Sequence, residues 1–435
     1  MGNGLDPSTI DAITRRLKEP AWLGDSRRQA LARHHQLPWP HPSDDIWRRT
    51  DVRLLDPAQG FSTVAPPLLE RMPLQHAQLE RFTQPLGNEH LVVRANGAWI
   101  HEPQLPGMVV RELADAVERD PQLQQALAAD GLSQAEQKLT TLNSAFHHDD
   151  VALRIPPGTS VDRPVRLVRI MSAAPQQALF PLTIITVGAG STVILIDEYV
   201  SLVDPSQSEP THLINGRINL VLEPHANVHY VRLQRWDPAG REFLLQRATV
   251  AEGASLTVAN LALGASVSKA HFMTRLTGPN ASTKLYGFVF GHGAQHVDQH
   301  TLQDHQAPHT SSDLEFRAAL QDQSRMIYTG LIRIAQAAQH TEAFQANHNL
   351  LLSQRARAET IPMLEILADD VQCKHAASTS PIDEEQAFYL RSRGLSRQAA
   401  ERLIVMGFVE SVVQRIPYAP LQQQLREDIE GGLTH

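Results

Sequence analysis

The spacing of hydrophobic residues changes twice along the chain. Up to about residue 150, apolar residues recur at intervals of three and four, which is typical of helices. Between residues 151 and 371 the segments are short and rich in branched aliphatic residues with partial alternation, which favours strands. Helical spacing returns after Pro381. The pattern predicts a mainly helical domain at 1–150, a β core domain at 151–382 and a helical domain at 383–435.

The N-terminal region is predicted to begin with two helices and an extended connection. The first helix runs from Ser8, which can cap it, to Lys18, and the second spans about 25–35. Prolines at positions 38, 40 and 42 then remove backbone donors and restrict the residues before them, so an extended linker is expected. Trp47 is expected to pin the short polar segment that follows this linker.

A hairpin and three helices are predicted for the rest of this region. Asn96-Gly97 lies between apolar runs, which is the strongest short-range signal for a β-hairpin. Helical spacing covers 108–120 and 121–130, and a further helix begins with Ser133 as its cap. The side chains expected on the buried side of that last helix are Leu139, Leu142 and Phe146.

A turn followed by a strand recurs throughout the β core. The apolar residues that close these motifs are separated by 32, 35, 28, 29 and 29 residues. A quasi-period of about 30 residues predicts a stacked β-solenoid, whereas the hairpins of a barrel or jelly roll would space their turns by about 8 to 12 residues. Residues 327–353 are interpreted as two further coils, with Asn347 and Asn349 suited to a polar ladder at a turn. The closing apolar residues are Val161, Val193, Val228, Leu256, Leu285 and Leu314.

Histidines are concentrated near the end of the β core. A spacing of four residues places three of them on one face of a helix or a strand, so a metal cluster is one interpretation. Structural or solvated histidines are the preferred interpretation, because a chain with 21 histidines forms such groups by chance. The five histidines between Gly291 and Thr310 are His292, His296, His300, His305 and His309.

Three short helices are predicted after Pro381. The first has acidic residues in its first turn and ends at Gly394, as the helix dipole and a glycine stop favour. The second is capped by Ser396, and the third follows Pro417 and Pro420. These helices either pack on the last coil of the solenoid or leave a groove for a partner helix, and both possibilities stay open. The apolar face expected on the second helix comprises Leu403, Ile404, Phe408, Val409, Val412 and Val413.

The only cysteine, Cys373, lies two positions before His375. In an extended strand, residues i and i+2 project from the same face, so the thiol and the imidazole would lie side by side and form half of a soft metal site. The alternative, which spacing alone favours, is a half-buried strand end with a small apolar cysteine and an ordinary hydrogen-bonded histidine.

The composition is that of a globular protein from a reducing compartment. The 435 residues are 42% hydrophobic and 20% charged, and the formal net charge of −8 argues against a large nucleic-acid interface. A single cysteine cannot form an internal disulfide, and neither a signal-peptide pattern nor an apolar run of about 18 residues occurs, so a cytoplasmic protein without a membrane span is expected. Phosphate-loop, dinucleotide-binding, zinc-protease and nucleophile-elbow motifs do not occur, so a self-sufficient enzyme is not expected.

Five segments carry a family resemblance: PMLEILADDVQCKHAASTSPIDEEQAFYLRSRGL, IVMGFVE, YTGLIRIAQAAQHTEAFQANHNLLLS, HQAPHTSSDL and PSDDIWRRTDVRLL. They resemble the SufB/SufD family of iron–sulfur cluster assembly scaffolds. The C-terminal block is specific to that family, and its P-x-L-E-I-x-A-D-D-V-x-C-x-H phrase, the chain length and the N-terminal region are most similar to the D-type member. One departure is Ala376, which stands where D-type sequences usually have glycine; the A-S-T-S that follows in the expected loop after His375 is more similar to the B-type.

This resemblance implies a right-handed parallel β-helix between helical N- and C-terminal domains. It implies a non-catalytic subunit that pairs with a SufB-like scaffold, docks a SufC-like ABC ATPase through its C-terminal helices and can form a homodimer in isolation. Iron or a nascent iron–sulfur cluster would be held transiently at the subunit interface, with no cofactor bound tightly to the isolated chain. His375 matches the family histidine thought to bind that iron or cluster, and Cys373 matches the neighbouring cysteine.

Two other hypotheses stand beside the scaffold. One is a histidine-rich metal-binding enzyme of all-β fold that uses His292, His296 and His300, and the other is a purely structural adaptor without metal. The resemblance favours the scaffold, since no complete active site is predicted elsewhere in the chain. The partner-binding residues that it implies on the C-terminal helices are Phe388, Tyr389, Arg391, Arg393, Gly394, Phe408 and Glu410.

Overall fold

The computed structural model describes residues 4–41, 43, 44, 46–56, 61–63, 76–101, 105, 107–111, 113, 116, 132–171, 176–201 and 212–433. Pro42 and most of the two helices predicted within 108–130 lie outside these residues. Where that segment is described, Val109–Arg111 is a short strand, which corrects the predicted start of a helix. It pairs with the first strand of the β core, because its two valines can join a sheet that already exists.

The two predicted N-terminal helices are present, with different starts. Helix α1 (Pro7–Arg16) is capped by Asp6, whose carboxylate accepts a hydrogen bond from the backbone N–H of Thr9 at 3.0 Å, so the prediction of Ser8 as the cap was wrong. Pro7 explains the difference, because proline fits the first helical position and the cap is then the residue before it. Helix α2 (Ala21–Gln36) begins four residues earlier than predicted.

The hairpin and the capped helix before the β core are confirmed. Strands β2 (His90–Ala95) and β3 (Ala98–His101) pair antiparallel around Asn96 and Gly97, which both have positive φ. Positive φ at both central residues is what a tight hairpin turn requires. Ser133 and Glu136 form a capping box at the start of helix α4 (Gln134–Phe146), and Leu139, Leu142 and Phe146 are buried as predicted. The other elements of this region are a 3₁₀ turn (Val52–Leu55), β1 (Ser62–Thr63), α3 (His76–Thr83) and β4 (Val109–Arg111).

The β core is a parallel β-solenoid of about seven turns, which confirms the predicted fold class. Each turn gives one strand to each of two sheets, so odd- and even-numbered strands from β8 onward separate into sheet B and sheet A respectively. The strands are β5 (Asp149–Ile155), β6 (Val165–Met171), β7 (Gln177–Leu179), β8 (Pro181–Val187), β9 (Thr192–Ser201), β10 (His212–Leu222), β11 (Asn227–Arg235), β12 (Gly240–Val250), β13 (Ser255–Ala262), β14 (Val267–Leu276), β15 (Ser282–Gly291), β16 (His296–His305), β17 (Ser311–Leu320), β18 (Arg325–Ile334), β19 (Thr341–Leu351), β20 (Arg357–Ile366) and β21 (Val371–Pro381).

The apolar residues that gave the repeat stack on one another inside the solenoid, with one offset. Val193 pairs with Val228, and Val228 pairs with Leu256. Leu256 then pairs with Thr283, two residues before the predicted Leu285. A shift of two residues keeps a side chain on the same face of a strand, so Leu285 still points inward.

Two details of the predicted repeat were wrong. Residues 327–353 form β18 and β19, which is about one turn and not two coils, because each turn uses two strands. Asn347 and Asn349 lie within β19 and are buried, so they are not at a turn. Alternation explains their position, since both occupy the inward face of that strand.

Trp47 fastens the N-terminal segment to the outer face of sheet A, as predicted. Its ring stacks on Phe243 with a centroid distance of 6.0 Å, and the ammonium of Lys269 lies 4.6 Å from the ring centroid. Lys269 is fully buried and also donates hydrogen bonds of 2.7 Å to the Ile46 carbonyl and to Asp298. These contacts give the buried ammonium its hydrogen-bond partners.

The three C-terminal helices are confirmed as α5 (Glu384–Ser392), α6 (Arg397–Val413) and α7 (Ala419–Gly432). Asp383 caps α5, Ser396 caps α6, and Gly394 between them has a φ of +94°. Helices α6 and α7 form one apolar cluster with outward residues of sheet B, so they cover the side of the solenoid and not its last turn.

The predicted apolar face of α6 was only partly right. Val409, Val412 and Val413 are buried, but Leu403 is 53% exposed and Val405 is buried instead. At 3.6 residues per turn, position 403 lies on the opposite side of the helix from the buried positions 405 and 412.

Candidate functional site

The last turn of the solenoid has one open side. Within the described residues, β20 pairs only with β18, and β21 pairs only with β19. Nearly every residue of β21 is exposed, whereas the strands behind it are mostly buried. Unpaired backbone groups along such edge strands are available to another chain.

Cys373 and His375 lie on the inward face of β21, at this open end. Cys373 pairs in register with Ala343 and packs with an apolar cluster inside the solenoid, while Lys374 between the two points outward over the ring of Phe344. Burial raises the pKa of the Cys373 thiol, which keeps the sulfur protonated and weakens it as a ligand in the isolated chain. The His375 side chain is exposed.

The strand continues through Ala376, the position where the sequence departs from the D-type pattern that it resembles. Ala376 pairs with Ala346, and β21 stays extended to Pro381, so no loop follows His375. Alanine adopts extended backbone without strain, which explains why the missing glycine leaves the strand intact. The expectation of a loop after His375 was wrong.

A polar floor lies in the inward rows next to that of His375, behind Ala377 and Thr379. Asn349 Nδ2 lies 2.8 Å from Asn347 Oδ1, 3.1 Å from Thr360 Oγ1 and 3.2 Å from Thr379 Oγ1, and shares its two N–H groups among these acceptors. Thr360 in turn donates to Asn347 Oδ1. The asparagines were predicted at a turn, and their spacing of two residues indicates only that they share one face of a strand. The open end therefore combines a thiol, an imidazole, amides and hydroxyls.

Of the implied partner-binding residues, five lie on or next to α5 and two lie elsewhere. Phe388 is 71% exposed and Tyr389 is 57% exposed. The guanidinium of Arg393 lies 5.2 Å from the Tyr389 ring centroid and donates a hydrogen bond to its hydroxyl at 3.1 Å. Arg391 and Gly394 are exposed beside them.

The two residues on α6 make contacts within the chain. The Phe408 ring is half-buried, 4.9 Å below the guanidinium of Arg317. Glu410 accepts two hydrogen bonds from Arg426, at 2.7 and 2.9 Å, which joins α6 to α7. Both therefore hold the C-terminal helices in place.

Exposed apolar residues are concentrated at this end of the chain. Nine large apolar side chains are exposed in the described residues, and seven of them belong to the last turn or to the first two C-terminal helices. Large apolar side chains that stay exposed are candidates for burial by a partner. The seven are Leu364, Ile366, Leu367, Phe388, Tyr389, Leu395 and Leu403.

The histidines of the alternative hypothesis do not converge. His296 bonds to Thr50 Oγ1 at 3.0 Å, and His300 lies 2.8 Å from Asp298 and 3.1 Å from Lys269. Burial, with the adjacent Lys269 charge, lowers the pKa of His300 to about 3. Across the described residues, no three His, Cys, Asp or Glu side chains are placed to hold one metal ion. These contacts support structural histidines.

No helix in the described part of the chain is long and apolar enough to cross a membrane.

Residues 169–408 match the family model described as SUF system FeS cluster assembly, SufBD core domain. The chain is 26% identical over 437 residues to an iron–sulfur cluster assembly SufBD family protein of Synechocystis sp. (strain PCC 6803), covering 96% of this chain and 94% of that one. It is 29% identical over 236 residues to the iron–sulfur cluster assembly protein SufD of Escherichia coli K12, covering 54% and 55%. A SufBD family protein of Staphylococcus epidermidis (strain ATCC 12228) is 24% identical over 452 residues, covering 99% and 94%. Because the matched core spans more than half of the sequence and contains most of the solenoid and the open end, this chain belongs to the SufBD family of iron–sulfur cluster assembly proteins.

Proposed function

We propose that this chain is the D-type, non-catalytic scaffold subunit of a cytoplasmic SUF complex. It pairs with a SufB-like scaffold through the last turn of its solenoid and docks a SufC-like ABC ATPase through its C-terminal helices. The observation that carries the proposal is the open end, where an inward thiol and an imidazole lie beside strands that each have one unpaired edge. Iron and the nascent cluster are its transient substrates.

The last turn supports the pairing step. Edge strands are normally short, charged or covered, whereas β20 and β21 are 10 and 11 residues long. Leu364, Ile366 and Leu367 are exposed on and just after β20. A second sheet edge of similar curvature would pair these backbones and bury the three side chains. A second copy of this chain offers the same edge, so the isolated protein is expected to form a homodimer.

The C-terminal helices support the docking step. Phe388 and Tyr389 are the most exposed aromatic side chains among the described residues, and Arg393 lies over the tyrosine ring. Exposed aromatic residues flanked by arginine are the usual centre of a protein interface. Helices α6 and α7 are fixed to sheet B by their apolar cluster, so movement of a bound ATPase would be transmitted to the solenoid.

The chemistry of the open end suits iron and sulfide. Imidazole nitrogen and thiolate sulfur are both ligands for iron, and two ligands leave coordination positions for a partner to fill. Burial raises the pKa of Cys373, so His375 is the principal ligand before the partner binds. The thiol becomes a ligand only when the nearby cation displaces its proton.

The site is tested by changing His375→Ala in the chain co-expressed with its SufB-like and SufC-like partners. Iron and acid-labile sulfide per complex are expected to fall while the three proteins still co-purify. His348→Ala is the matched control, because His348 lies on the outward face of the neighbouring strand and bonds to Ser378. An unchanged cluster yield in the His375 variant would remove this residue from the site and favour the structural adaptor.

The docking surface is tested with the double variant Phe388→Ala and Tyr389→Ala. The ATPase is expected to be lost from the purified complex, while the SufB-like scaffold remains. Trp22→Ala is the control, since Trp22 is a similarly exposed aromatic residue on α2, outside the C-terminal helices. Retention of the ATPase by the double variant would contradict the docking proposal.

A further inference from the structure

Gln345 lies directly beneath His375 in the interior of the solenoid. The two residues are register partners on the parallel strands β19 and β21, so their side chains belong to the same inward row. Neighbouring strands are about 4.8 Å apart, which places side chains of one row within contact distance. Gln345 is only 3% exposed, whereas His375 is open to solvent.

The amide of Gln345 is held in a fixed orientation. Its Nε2 donates to the Gly330 carbonyl at 3.4 Å, while its Oε1 is buried and has no hydrogen-bond partner. A Cβ at position 330 would overlap the amide of Gln345 in this orientation, so glycine at 330 leaves room for it. If the amide were flipped, Gln345 Oε1 would face the Gly330 carbonyl oxygen, and two acceptors would lie together. Gln345 Oε1 therefore points away from that carbonyl and stays unpaired.

The unpaired oxygen needs a donor, and the nearest row partner has one. Leaving a buried acceptor unsatisfied costs about 1 to 3 kcal/mol, whereas a neutral imidazole offers one N–H and one lone pair. No hydrogen bond of the His375 ring is found within the described residues. Asn347, in the adjacent inward row, already accepts from Thr360 and Asn349.

We propose that Gln345 is the positioning residue of His375. Rotation of the exposed His375 side chain brings one ring nitrogen to Gln345 Oε1, the acceptor that is otherwise unpaired. The hydrogen bond that this nitrogen donates fixes the tautomer and turns the lone pair of the other nitrogen toward the open end. That nitrogen then receives a soft divalent cation. The identity of the cation as iron rests on the function proposed above, but the hydrogen bond does not. Outer partners of this kind orient metal-binding histidines and raise their basicity.

The tautomer is measured directly on the metal-free, full-length chain. The histidines are labelled with ¹⁵N, the pH is set to about 9 so that the imidazoles are neutral, and His375→Ala assigns the resonance. Wild type is expected to show one dominant tautomer at position 375, and Gln345→Met a mixture. Gln345→Glu should restore a single form, because a carboxylate also accepts. Equal tautomer ratios in wild type and Gln345→Met would overturn the proposal.

Two further variants separate the hydrogen bond from general damage to the last turn. Gly330→Ala pushes the amide aside without changing Gln345, so it should give the same mixture as Gln345→Met. Gln372→Met is the matched control, because Gln372 is an exposed, outward glutamine on the strand of His375. A mixture of His375 tautomers in Gln372→Met, or a single tautomer in Gly330→Ala, would attribute the effect to a changed fold of β21 and overturn the proposal.

Cation binding is measured with cobalt(II) as a paramagnetic probe. The cobalt concentration that broadens the His375 resonance is expected to rise about 10- to 100-fold in Gln345→Met and to stay unchanged in Gln372→Met. Equal broadening in wild type and Gln345→Met, including none in either, would overturn the role in cation binding. A tautomer that depends on Gln345 while His375→Ala leaves the cluster yield unchanged would support the positioning contact and reject the proposed function.

Discussion

The burial of His305 is expected to make the folded solenoid less stable in acid. The ring is buried in the core, with Nδ1 2.8 Å from Thr310 Oγ1 and Nε2 2.9 Å from Ser312 Oγ. A neutral imidazole satisfies both contacts, donating through one nitrogen and accepting through the other. Burial disfavours the charged ring and lowers the pKa of His305 from 6.5 to about 4. The free energy of unfolding therefore falls over the pH range in which His305 binds a proton in the unfolded chain but not in the folded one.

The size of the effect follows from the two pKa values. Between pH 6.5 and 4 the unfolded state binds a proton that the folded state refuses, so stability falls as the pH falls through this range. Each tenfold change in proton affinity is worth about 1.4 kcal/mol, which gives a total loss of about 3 kcal/mol below pH 4. About 2 kcal/mol of this loss is already present at pH 5.

The assay is urea unfolding of wild type and His305→Gln between pH 7 and pH 5. Glutamine can bond to both hydroxyls and carries no titrating proton. At pH 7 the variant is expected to be less stable than wild type, because its side chain packs differently from the imidazole. Its disadvantage should shrink by about 2 kcal/mol by pH 5. His35→Gln, at an exposed position on α2, removes an imidazole without the burial. A stability difference between wild type and His305→Gln that is the same at both pH values would refute the reasoning.

Three substitutions test the packing. Gly287→Ala should cost about 1 to 3 kcal/mol in thermal unfolding, because a Cβ there would overlap the Phe316 ring. Gly407→Ala should instead stabilise by about 0.5 to 1 kcal/mol, since it has open space on an exposed part of α6; equal signs for the two glycines would contradict this account. Trp47→Ala should cost about 3 to 5 kcal/mol and expose the N-terminal segment to protease by removing the ring that covers Lys269; unchanged digestion would argue against that anchor.

The solenoid could be predicted because equivalent residues of successive turns stack. That stacking forces aliphatic residues to recur at the length of one turn, and Val193, Val228 and Leu256 are true register partners. The offset at Leu285 could not be detected, since a two-residue shift keeps every side chain on its face. The number of strands per turn was equally hidden, because a repeat length does not say how a turn is divided.

The candidate site was predictable only in its local part. The spacing of Cys373 and His375 fixed their common face, because alternation in a strand needs no knowledge of neighbours. The contacts beneath them join residues about 30 positions apart, which a single sequence does not pair. Alternation alone does not distinguish a solvent-exposed strand face from a buried one. Asn347, which is buried in the polar floor, was therefore predicted at a turn.

One inward row of sheet B supports the proposed half-site. Along this row Leu285 is followed by Leu314, then by Gln345, and finally by His375 at the open end. If an apolar cap within the same chain closed the solenoid, the inward row would stay aliphatic up to and including the last turn. Each polar group buried under such a cap would otherwise need a hydrogen-bond partner. Here the row becomes polar over its last two turns, while the exposed apolar residues lie on β20 and the C-terminal helices. This distribution fits the proposed partner, which would pair with the strand edges, cover the exposed apolar residues and supply further ligands above His375.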